Sequence, residues 1–173
     1  SRTLENAAVY GSTNVPLYTL IAHGVLIQSL AKNVWFRTPE ITRQIYVDLL
    51  STLKSALPEG TLDGIHLLTE GRDVQYDNFN KMYVMGLSKK GTRRERPPSE
   101  LVVFTGNPAT AKRLIEYNQS KIKEEVSKGG IAEPFRQVFL AFGAGINPMI
   151  IVKSARTQMD QVVRWSMEPA QIN

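Results

Sequence analysis

Between Ser88 and Glu100 the chain reads Ser-Lys-Lys-Gly-Thr-Arg-Arg-Glu-Arg-Pro-Pro-Ser-Glu, without a single apolar side chain. A stretch of this kind buries nothing that would offset the entropy of ordering it, so it must run outside any core and divide what folds on either side. It also concentrates the charge. Lys89, Lys90, Arg93, Arg94 and Arg96 against Glu95 supply +4 of the net +5 of the whole chain, which leaves the rest nearly neutral. What this exposed cationic segment touches is the first functional question.

The flanking sequence is patterned for helices. Asn14 and Pro16 open one, and Leu17, Leu20, Ile21, Ile27 and Leu30 continue at helical spacing to Ala31, with His23 on it as a satisfied core residue. Thr38 and Pro39 cap and open the next, where Ile41, Ile45, Leu49, Leu53 and Leu57 recur every four residues until Pro58. Asn107 and Pro108 begin a third that runs to Lys128, its apolar stripe interrupted by Asn118. Phe135, Val138, Phe139 and Phe142 suggest a short buried helix over 131–142. Asn147 and Pro148 suggest a last one carrying Ile151, Val152, Ala155, Met159, Val162 and Val163.

In the middle the period shortens. Residues 65–69, 81–88 and 101–105 are short, partly β-branched runs bounded by glycine and proline, which is a strand signature. Pairing the second run with the third would make the cationic stretch the tip of a hairpin. The expectation is therefore a mainly α fold of the α+β class: about five helices around one core, with a small antiparallel β-hairpin region at about 62–105. The chain reads as one compact domain, or as two lobes at about 14–87 and 101–166 joined by loop 88–100. An N-terminal arm at 1–13 and a C-terminal arm at 167–173 flank it.

Several chemistries lack their parts. There is no cysteine, hence no disulfide, thiolate nucleophile or cysteine-based metal site. The two histidines are far apart in sequence, and neither a Gly-x-Ser-x-Gly elbow nor a Gly-x4-Gly-Lys-Ser/Thr loop is present. Gly143-Ala144-Gly145 is similar to the start of a dinucleotide-binding turn. Pro148 occupies the third glycine position, however, and no repeated strand-helix-strand pattern is evident around it. No metal or organic cofactor is expected, and the chain is expected not to be an enzyme. A site built from scattered carboxylate, lysine and tyrosine side chains stands as the enzymatic alternative.

The expected function is binding and packaging of nucleic acid, RNA in preference, by a self-assembling coat-like or nucleocapsid-like protein. Phosphate contact is assigned to Lys89, Lys90, Arg93, Arg94 and Arg96, with Lys153, Arg156 and Arg37 in support. Trp35, beside Phe36 and between Lys32 and Arg37, either stacks on bases or plugs the core. The terminal arms would join copies into a homo-oligomer. A matrix-like or adaptor protein, whose loop meets anionic lipid at a membrane periphery or an acidic protein, is the alternative. No transmembrane run and no signal-peptide pattern are seen, so a cytoplasmic or nuclear location, or a particle assembled there, is expected.

Overall fold

The computed structural model describes residues 4–69, 75–131 and 136–143. Its centre is a five-stranded parallel sheet in the order β3-β2-β1-β4-β5. The strands are β1 (Leu4–Tyr10), β2 (Ala31–Arg37), β3 (Ile65–Leu68), β4 (Leu101–Gly106) and β5 (Val138–Gly143). Helix α1 (16–28) is α-helical at Pro16–Thr19 and Leu26–Gln28, with a π-helical turn at Leu20–Val25 between them. Helix α2 (Arg43–Ala56) follows a 3-10 turn at Glu40–Thr42. Helix α3 (76–84) passes from α (Tyr76–Phe79) to π (Asn80–Val84), and α4 is Pro108–Ser127.

The mainly α expectation is corrected by this sheet. Residues 4–10, expected in an arm, form its central strand. Ala7, Ala8, Val9 and Tyr10 are wholly buried, because a central parallel strand has helices on both faces and keeps no polar side. Lys32–Arg37, where no strand was expected, lies in β2. Residues 138–142, read as helix, lie in β5. The expected antiparallel hairpin does not form. Residues 80–84 are the π end of α3, while β4 pairs in parallel with β1 and with β5. An antiparallel bridge does join Leu87 to Arg94 and closes the cationic loop on itself. The expected last helix, and with it Lys153 and Arg156, lies outside the described residues.

Each face of the sheet has its own core. Ala7, Val9, Val34, Phe36 and Val103 meet Leu20 and Ile27 of α1 and Tyr46 and Leu50 of α2. On the opposite face Ala8, Tyr10, Val102 and Phe104 meet Phe79, Tyr83 and Val84 of α3 and Ala111 and Leu114 of α4. Fully burying one of these large side chains stabilises the fold by about 1.5–3 kcal/mol. Asn118 interrupts the stripe of α4 for a reason: it accepts from Asn80 at 2.6 Å and donates to Gln137 at 3.0 Å, while Asn80 accepts from the Tyr10 hydroxyl at 3.1 Å. These paired amides tie the centre of the sheet to α3, α4 and the approach to β5.

The connections determine where a ligand can reach the sheet. From β1 the chain winds through α1 to β2 and through α2 to β3; from β4 it winds the other way, through α4 to β5. Between β1 and β4 the winding reverses, so the loops leaving their carboxyl ends diverge and open a crevice.

Candidate functional site

That crevice is a cleft of about 720 Å³. Its floor is the turn after β1, Gly11 to Val15, and its walls are α1 on one side and the ends of β4 and β5 on the other. Gly11 is fixed by close approach of backbone. Its amide donates to the Arg37 carbonyl at 2.8 Å, and a Cβ there would lie 2.7 Å from that oxygen and 2.8 Å from a Phe36 ring carbon. The turn is then pinned twice more: the Ser12 and Thr19 hydroxyls are 2.7 Å apart, and the Tyr46 hydroxyl donates to the Ser12 carbonyl at 2.7 Å. Burial raises the Tyr46 phenol above its ordinary value, so it remains a donor.

Helix α1 begins at the cleft with Pro16 in its first turn and no side-chain cap on that turn. The first amides of a helix have no intrahelical acceptor and carry the positive end of its dipole, an arrangement suited to an anion. Helix α4 starts directly after β4, with Asn107 accepting from the Ala109 amide at 2.8 Å. Two helices on opposite faces of the sheet thus begin beside one crevice.

The upper wall is aromatic. The His23 ring stacks on Phe142 with centroids 5.4 Å apart and planes 14° apart, and Tyr18 meets its edge at 5.6 Å. The Nδ1 of His23 and the Oγ1 of Thr105 are buried without a partner among the described residues. An unmade hydrogen bond at a buried polar atom costs about 1–3 kcal/mol, which a ligand bearing the complementary group would recover. Burial lowers the His23 pKa below the ordinary histidine value and favours the neutral ring.

Across the cleft, Tyr76 lies against Tyr10 with ring centroids 5.6 Å apart, and the Arg37 guanidinium sits 4.1 Å over the Tyr76 ring. Arg37 is the last residue of β2, beside the Gly11 turn. Burial lowers its pKa, yet a guanidinium stays charged at any working pH.

The sequence-predicted residues divide into groups. Lys89, Lys90 and Arg93 are exposed on the cationic loop. Arg94 turns inward, paired with Glu125 at 3.2 Å and donating to the Met85 carbonyl at 2.9 Å. Arg96 lies over the Trp35 and Tyr83 rings at 5.0 and 4.9 Å. Trp35 itself is half-buried, stacked on His66 at 4.5 Å and donating from Nε1 to Asn6 Oδ1 at 3.2 Å. Of those described, Arg37 alone comes near the cleft, behind Tyr76, which lines it. Sequence reasoning missed Gly11, Ser12, Thr105 and Phe142 and set His23 aside; the available signal was a glycine directly after an apolar run and before a helix start, at Tyr10-Gly11 and again at Thr105-Gly106.

Among the described residues no group of three or more His, Cys, Asp and Glu side chains is placed to hold a metal ion, and no helix is long and apolar enough to cross a membrane. Compared with known proteins, the chain matches no family model, no curated protein and no solved structure.

Proposed function

We propose that the cleft binds a nucleotide cofactor, specifically a nicotinamide dinucleotide carrying a 2′-phosphate. The observation that carries this reading is the reversal of winding between β1 and β4, which opens the cleft at the carboxyl ends of a parallel sheet. The pyrophosphate would lie near the starts of α1 and α4. The adenosine ribose would reach the end of β2, where an arginine suits a 2′-phosphate and an acidic residue would suit the free hydroxyl. The residue there is Arg37. On this reading the chain supplies a cofactor-binding unit. The test is titration with NADPH, followed by its own fluorescence, with NADH, ATP and inorganic phosphate alongside: saturable binding of NADPH ahead of the other three supports the reading, and equal weak binding of all four contradicts it.

A second reading, contact with a polyanion such as RNA by loop 88–100, is favoured by the exposed Lys89, Lys90 and Arg93. It calls for binding that falls steeply with salt and weakens when Lys89 and Lys90 are neutralised. Arg94 and Arg96 support it less than their sequence suggests, since both are engaged with the body of the fold.

A further inference from the structure

Among the described residues lining the cleft, His23 is the one ionisable group whose charge changes between neutral and mildly acidic solution. The other side chains with an ionisable group lining it are the phenols of Tyr18 and Tyr76, and the lining contains no carboxylate, lysine or arginine among the described residues. Arg37 stands behind Tyr76 with a constant charge. Among the described residues lining the cleft, no fixed charge masks what happens at the imidazole.

Its setting is that of a ring-binding wall. Phe142 holds it nearly parallel at 5.4 Å, Tyr18 closes its edge, and the π-helical turn 20–25 carries it two turns below the start of α1. A dinucleotide whose adenosine end meets Arg37 must extend its other end across the crevice toward β4 and β5, where this wall stands. That other end is the nicotinamide, which is a cation when oxidised and uncharged when reduced.

We infer that His23 makes the cleft sensitive to the charge of the ring it holds: an imidazolium there opposes the pyridinium of the oxidised dinucleotide and spares the uncharged ring of the reduced form. The inference rests on the cofactor reading. Two unit charges about 5 Å apart, screened as near a protein surface, interact strongly enough to lower the affinity of a fully protonated site by about tenfold or more. Acid thus favours retention of the reduced cofactor over the oxidised one.

The experiment measures affinity of the intact chain for NADP⁺ and for the tetrahydro analogue of NADPH, which has no pyridinium and withstands mild acid, at about pH 8 and about pH 5.5. The 2′-phosphate titrates in both ligands, so the ratio of the two affinities isolates the ring. The expected result is a ratio that shifts severalfold against NADP⁺ in acid, limited by the lowered pKa of His23, and a His23→Asn variant whose ratio does not move. A ratio independent of pH, or one that shifts equally in His23→Asn, overturns the inference while leaving the cofactor reading intact. No binding of either ligand at about pH 8 overturns both. A thermal melt of each variant at both values confirms that the folded chain is what is titrated.

Discussion

The Tyr46 hydroxyl donates to the Ser12 carbonyl at 2.7 Å, so helix α2 holds the turn that follows the central strand. The ring of Tyr46 is wholly buried against Phe36, which makes the contact a fixed strut between the second helix and the floor of the cleft. Tyr46→Phe keeps the packing and removes the bond. The expected cost is about 1 kcal/mol of stability, read by denaturant unfolding, with a larger proportional loss of nucleotide affinity because the freed turn must be ordered on binding. Unchanged affinity would show that the turn is held by its other bonds alone.

Gly11→Val tests the floor itself. A Cβ at Gly11 meets the Arg37 carbonyl and the Phe36 and Tyr46 rings, none of which can withdraw without shifting β2 or α2. Overpacking of this kind costs about 1–3 kcal/mol, and the displaced turn should abolish cofactor binding in whatever fraction remains folded. Gly130→Ala, far from the cleft and against the end of the Glu125 side chain, is the control expected to leave binding intact.

The cationic loop separates into structural and exposed charges. Arg94→Ala breaks a half-buried pair with Glu125 and a bond to the Met85 carbonyl, and should lower the thermal midpoint by several degrees. Lys89→Ala with Lys90→Ala alters exposed side chains and should leave the midpoint within about a degree. If the two variants melt alike, the loop is not anchored as described. RNA binding by filter assay on the same proteins measures the polyanion reading directly.

Both histidines make stability depend on pH. Burial lowers the pKa of His23, and burial together with Lys54 lowers that of His66, each from an ordinary value of 6.5. The unfolded chain therefore takes up protons first as pH falls. Stability is full above about pH 6.5 and declines below it, until the folded values are passed in turn. Melting at about pH 7.5 and about pH 5 should show the decline, and a His23→Asn, His66→Asn double variant should show less of it. An equal decline in the double variant would assign the effect to other groups.

How much of this was legible in the sequence depends on the element. Helices α2 and α4 were plain in extent, since each has a proline in or just before its first turn and an amphipathic pattern. Only α4 is capped by the expected side chain: Thr38 donates to the Leu68 carbonyl instead, and α2 buries Tyr46 and Leu50 while Ile41 and Ile45 stay exposed. The run at β3 was also plain. Strands β1 and β2 were not, for opposite reasons: β1 is alanine-rich and buried on both faces, so it lacks alternation, and β2 mixes two cations with two aromatics as a partly exposed strand does. Once β1 and β2 were missed, β4 had no parallel partner and was paired with residues 81–88 instead. The cleft followed the same logic. Its residues come from the ends of three strands and from two helices, and only the strand order brings them together. His23 carried no sequence mark, because its neighbours Tyr18 and Phe142 are a turn and a whole sheet away in the chain.

The most direct test of the central claim is amide chemical-shift mapping of the isotopically labelled chain during titration with NADPH. The account predicts shifts that saturate together at Gly11 to Val15, Thr105, Gly106, Phe142 and Gly143, with Arg37 among them and residues 88–96 unmoved. Shifts confined to 88–96, or none as NADPH reaches millimolar concentration, would contradict the assignment of the cleft as a cofactor site.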